Sequence, residues 1–109
     1  MSNETKPRWL EMRTDETRGV ERILRTQFPR SDAYRYNSAS IRVRVIDPRF
    51  EGKSTEERDA MVETLLEQLP EQTQADIMNL LTLAPSETSS SFKRMLANDE
   101  FEEPSRSSL

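Results

Sequence analysis

The chain has no histidine and no cysteine. Without imidazole it lacks the commonest general base and metal ligand, and without thiolate it lacks the usual nucleophile and soft metal donor. Hydrolases and metalloenzymes of the usual kinds are thereby excluded. Glycine is nearly absent too, with Gly19 and Gly52 the only two. That leaves no G-x-x-G clamp for a nucleic-acid backbone. Glu51-Gly52-Lys53-Ser54 ends as a phosphate loop does, but the upstream glycine is replaced by Asp47, so the motif fails. No apolar run exceeds three residues, far below the roughly 18 needed to span a bilayer. The opening Met1-Ser-Asn-Glu-Thr-Lys lacks the apolar stretch of a secretory signal. A soluble, cytoplasmic protein is expected, and the missing cysteines fit a reducing compartment.

What is present is charge. Charged residues make up 33% of 109 residues and hydrophobic ones another 33%, enough for one small core. The charge is divided unevenly. Residues 1–50 hold 11 Lys/Arg against 7 Asp/Glu, and residues 51–109 hold 5 against 13, which sums to the net charge of −4. Such a balance argues against general phosphate-backbone binding but leaves room for a local basic face.

Thr14-Asp-Glu-Thr opens a helix, with a cap residue followed by acids that suit the N-terminal dipole. Val20, Ile23, Leu24 and Phe28 then recur at the 3.6 period until Pro29 stops it. Ile41, Val43 and Val45 alternate with Arg42, Arg44 and Ile46, a strand with one buried face. The Tyr34/Tyr36 segment supplies a partner strand through a tight turn at Asn37–Ser40, forming a hairpin. Ser54-Thr-Glu-Glu57 is a capping box, and Met61, Val62, Leu65, Leu66 and Leu69 face inward before Pro70. Glu56, Asp59, Glu63 and Glu67 face outward. Residues 70–75 allow a short helical turn. Residues 76–84 fit a helix through Ile77, Leu80, Leu81 and Ala84, or a strand through Ile77, Asn79, Leu81 and Leu83. A lone hairpin needs a third strand, which favours the strand.

In the middle of this order stands Arg44-Val-Ile-Asp-Pro-Arg-Phe-Glu-Gly-Lys-Ser-Thr-Glu-Glu-Arg58, which resembles the BolA family. Phe50-Glu51-Gly52 matches that family's F-x-G loop, and Arg58 matches the arginine of the Arg-His pair that opens its second helix. The resemblance covers about residues 15–87. It implies an α+β domain of class II KH-like topology, with helices packed on a three-stranded sheet. In that family the histidine ligates an iron–sulfur cluster shared with a monothiol glutaredoxin. Asp59 stands in its place here, and the hairpin loop, where the family has a second ligand, has neither cysteine nor histidine. A carboxylate is a poor ligand for such a cluster. No cofactor and no metal is therefore expected. Glu56, Glu57 and Asp59 could offer oxygen to a hard cation, but acids at a helix start stabilise its dipole without one.

Three expectations follow. The domain spans residues 14–87, between a flexible N-terminus at 1–13, from which Trp9 can still fold back onto the domain, and a disordered, acidic and Ser-rich tail at 88–109. Its core is Val20, Ile23, Leu24, Phe28, Ile41, Val43, Val45, Phe50, Met61, Val62, Leu65, Leu66, Leu69, Ile77 and Leu81. The function expected is a non-enzymatic, monomeric binding or adaptor module acting on a protein partner. Arg58 is a candidate contact, and Phe92, Met95 and Leu96 form one amphipathic turn in the tail. The alternative is a nucleic-acid-binding module, with Arg42 and Arg44 neutralising phosphates while Tyr34 or Tyr36 stacks on bases.

Overall fold

The computed structural model describes residues 8–89. Within them a 3₁₀ helix, Arg8–Met12, leads into α1, Asp15–Leu24, then strands β1, Arg30–Asn37, and β2, Ser40–Ile46. A 3₁₀ turn, Pro48–Phe50, precedes α2, Thr55–Leu66, and α3, Glu71–Asp76. Strand β3, Ile77–Leu83, and a last 3₁₀ turn, Pro85–Ser89, complete it. The sheet is mixed, in the order β1-β2-β3, with β1 antiparallel and β3 parallel to β2. A parallel return needs a crossover, which α2 and α3 provide. This is the α+β architecture expected, and residues 77–83 are a strand.

Local chemistry explains the element ends. Thr14 and Thr17 exchange side-chain and backbone bonds at the start of α1, at 2.8 and 3.2 Å, a capping box with threonine at its third position. Ser54 and Glu57 do the same for α2, at 2.8 and 3.1 Å. In the hairpin turn the Asn37 side-chain oxygen accepts from the Ala39 amide at 2.8 Å, the local bond that makes asparagine a turn residue. Gly52, at φ +76°, takes the left-handed position in the loop before α2.

One face of the sheet carries the expected core. Ala33, Ile41, Val43 and Val45 pack under Val20, Leu24, Phe28, Phe50, Val62 and Leu66, all buried. Phe28 and Phe50 stack with ring centres 5.6 Å apart. Ile23, Met61, Leu65, Leu69 and Ile77, expected inside, are only partly buried at the margin of this cluster. They lie on α1 and α2, in the turn after α2 and at the start of β3.

The other face departs from expectation. Every residue of β2 from Ile41 to Ile46 is buried, so the strand is covered on both sides. The cover is the first 3₁₀ helix. Trp9 is 5% exposed and packs with Tyr34, Ile46, Leu81 and Leu83, supported by Leu10 and Met12. Residues 8–12, within the segment expected to be flexible, pack here as the alternative for Trp9 allowed, because an uncovered second face would leave Tyr34 and Leu83 in water. β3 also breaks the simple alternation. Its pairing with β2 steps from Ile41↔Ile77 to Arg42↔Asn79, skipping Met78. This bulge shifts the alternation, so Ile77 and Leu80 join the helix face while Leu81 and Leu83 join the Trp9 face.

Truncating a buried tryptophan costs about 3 kcal/mol. Urea unfolding should show that loss for Trp9→Ala, and at least as much for deletion of residues 1–13. An unchanged midpoint for the deletion would mean that this segment does not hold the second face.

Candidate functional site

The residues singled out on the hairpin do come together, but they are enclosed. Register places Tyr34 opposite Arg42 and Asp32 opposite Arg44. Arg42 and Arg44 are each 5% exposed and Tyr34 is fully buried, while Tyr36 remains 47% exposed. Arg42 donates to the Tyr34 hydroxyl at 3.1 Å and lies 3.7 Å from the Tyr36 ring centre. Arg44 pairs with Asp32 and lies 5.3 Å from the Trp9 ring, which sits 6.1 Å from Tyr34. Asp32 also takes a 3.1 Å bond from Arg25. The expected exposed arginine face is thus an internal layer of cation–π and ionic contacts.

Arg58 lies apart from this group, at the start of α2. Its guanidinium makes two 2.8 Å bonds to the Glu87 carboxylate, one of 3.1 Å to the Thr82 carbonyl and one of 3.0 Å to the Lys53 carbonyl. The hydrogen bonds it donates to Glu87 raise its pKa above the usual arginine value, despite an opposing effect of burial. Such a residue is a clamp between α2 and the end of β3, with Glu87 also accepting from the Ala84 amide at 2.9 Å. Asp59 follows it, partly buried, and its charge adds to the raised Arg58 pKa. Phe92, Met95 and Leu96 lie outside the described residues. Among the described residues no group of three His, Cys, Asp or Glu side chains is placed to hold a metal, and no helix is long and apolar enough to cross a membrane.

The two edges of the sheet are finished differently. On β1, the Ala33 amide donates to Glu21 at 3.0 Å and the Ser31 carbonyl accepts from Arg25 at 2.9 Å. Arg13 and Arg25 in turn neutralise Glu21, at 3.3 and 3.7 Å. Side chains from α1 and the residue that ends it therefore occupy two of the main-chain groups through which another strand would pair. On β3, Arg58 occupies only the C-terminal end, at the Thr82 carbonyl. The Leu83 carbonyl points the other way, accepting from the Asp47 amide beyond β2 at 3.0 Å. Consecutive residues of a strand direct their main-chain groups to opposite edges, so Leu80 faces the outer edge as Thr82 does. Among the described residues no side chain caps it.

Beside that uncapped stretch lies a groove of about 330 Å3 between α2, α3 and β3. Leu66, Ile77 and Leu80 form its apolar part, Glu63 and Glu67 its rim, and the bulged Met78, 62% exposed, its lip. Glu63 and Glu67 have no ion-pair partner among the described residues. Sequence reasoning saw these glutamates only as a solvated face. One signal was available: like charges at i, i+4 repel and weaken a helix unless something offsets them. A second groove, near Phe28, Met61 and Leu65, is crossed by Arg49, which lies 4.4 Å over the Phe28 ring and is tied to Asp47 at 2.8 Å.

A scan against protein-family models finds no match for the chain, and neither does a search of curated proteins. Among solved structures, the chain is similar to BolA1 from Arabidopsis thaliana. Identity is 15%, covering 68% of this chain and 96% of that one, with a TM-score of 0.47. The α+β assignment stands on the elements and pairings described above.

Two measurements check this geometry. Asp32→Asn leaves Arg44 buried beside a neutral partner and should cost about 2–3 kcal/mol, whereas the double change Asp32→Asn with Arg44→Met should recover most of it. If the double change is no more stable than the single one, Arg44 is not the source of the loss. The second concerns pH. The Arg35 hydrogen bond at 2.8 Å holds the Asp76 carboxyl below its ordinary 3.8, against burial and with help from Gln72. At Asp47, burial raises the carboxyl, but bonds from Arg49 more than offset this and leave it below 3.8. Both groups are depressed in the folded state, so their contribution is complete above the ordinary carboxylate range and lost as pH falls through the folded values. With no histidine to titrate, thermal stability should be flat between about pH 5 and 8 and fall below about pH 4. Asp76→Asn should flatten that acid limb. An acid limb unchanged by the substitution would contradict the assignment.

Proposed function

We propose that the chain is a non-enzymatic, protein-binding module, and that it carries no metal cluster. The observation behind this reading is the contrast between the closed face and the open edge. The side chains that sequence made attractive for chemistry or phosphate contact (Arg42, Arg44, Tyr34, Arg58) are spent on internal partners. The surface left unsatisfied is main chain, beside an apolar groove with an acidic rim. Unsatisfied peptide groups and apolar side chains are what another polypeptide complements best. An acidic rim opposes a phosphate backbone. Catalysis by the described residues would need a poised donor and acceptor. The buried Glu21 and the partly buried Asp32 are instead held by arginines.

The alternative, nucleic-acid binding through the hairpin, would require Arg42 and Arg44 to leave partners that bury them to 5% exposure. Selection from a random-peptide display library, alongside anisotropy titrations with short random-sequence RNA and DNA at moderate salt, separates the readings. The expected outcome is saturable peptide binding and no saturable nucleic-acid binding. Saturable, salt-sensitive nucleic-acid binding lost on Arg42→Ala, with no peptide recovered, would replace this reading by the alternative.

A further inference from the structure

We propose that the outer edge of β3 at Met78–Leu80 takes an extended, lysine- or arginine-bearing segment of a partner protein as an added strand. The proposal deepens the protein-binding reading and rests on it.

Three observations converge on this stretch. The edge is open: Leu80 directs its main-chain groups outward, between the Arg58-capped Thr82 and the bulge at Met78. A neighbouring strand can bond there without displacing any described side chain. On the opposite edge, Glu21 and Arg25 already hold the Ala33 amide and the Ser31 carbonyl. Beside the open edge, the groove floored by Leu66, Ile77 and Leu80 can receive apolar side chains from one face of the added strand. Glu63 and Glu67 stand on its rim, one helical turn apart and unpaired among the described residues, and complement basic residues spaced along that strand.

The same charge selects the occupant. A second copy pairing through its own β3 about Leu80 would bring the glutamates of both copies together across the junction, so a homodimer is disfavoured. An acidic or phosphorylated segment would meet the rim with like charge. A basic strand meets both the hydrogen-bonding and the electrostatic demand.

The test uses the full chain, labelled with nitrogen-15, and an end-blocked peptide that carries valine and lysine in turn along one face, at every second residue, with serine between them. The expected shifts centre on Met78–Leu80 and on Glu63 and Glu67, with peptide-to-Leu80 main-chain contacts in nuclear Overhauser spectra. Replacing lysine by glutamate in the peptide, or making the double change Glu63→Lys and Glu67→Lys, should weaken binding about tenfold or more. Both glutamates are exposed, and circular dichroism checks that the variant is folded. Methylating alternate peptide amides should abolish binding, because it removes the donors that a strand needs. Shifts centred elsewhere, or affinity indifferent to amide methylation or to charge reversal, would overturn the strand-addition site while leaving the protein-binding reading intact. Failure of this peptide and of every library-selected peptide would overturn both. If deleting residues 90–109 were required before the peptide bound, or if the chain dimerised through β3, the occupant would be the chain itself and the proposal would fall.

Discussion

Three strands leave two edges, and every main-chain group on an edge needs a partner or water. Much of this molecule can be read as an answer to that constraint. α1 lies along β1 and lends Glu21 and Arg25 to its outward amide and carbonyl, with Arg13 balancing the buried carboxylate. The start of α2 lends Arg58 to the far end of β3, and Glu87 locks that arginine in place. Buried charges serve here as substitutes for missing strands. The stretch around Leu80, which no described side chain reaches, lies beside the acidic groove.

A second constraint shapes the other face. A small sheet packed by helices on one side alone would expose Tyr34, Ile46, Leu81 and Leu83 on the other. The short helix around Trp9 covers them at the expense of burying Arg42 and Arg44. Their desolvation is offset by Asp32 and by the faces of Trp9 and Tyr36. The uneven charge of the two halves of the chain is also explained in part. The basic N-terminal half meets the acidic C-terminal half in Arg35–Asp76, while acids such as Glu63 and Glu67 remain outside.

How much of this was legible depends on the range of the interaction. Both long helices and the hairpin turn were readable, because capping boxes and the turn asparagine act over three residues or fewer. The third strand was readable only by the argument that a hairpin needs company, since Ile77–Leu83 suits either period. Trp9 could not be placed, because a 3₁₀ helix of five residues is too short for a period to show. Its burial is set by Tyr34 and Leu83, distant in sequence. For the same reason Arg42 and Arg44 read as a solvent face: alternation shows which side chains share a face, not what lies above it. The open edge at Leu80 was invisible for a further reason. It depends on strand order and on the bulge at Met78, neither of which leaves a local mark.

Native-state amide hydrogen exchange at Ala33 and Leu80 compares the two edges directly. The Ala33 amide, bonded to Glu21, should exchange slowly, as should Leu81, whose main chain faces β2. The Leu80 amide, one residue away in the same strand, should exchange far faster than either. Protection at Leu80 matching that at Leu81 would show that the edge is already occupied, and would contradict the account.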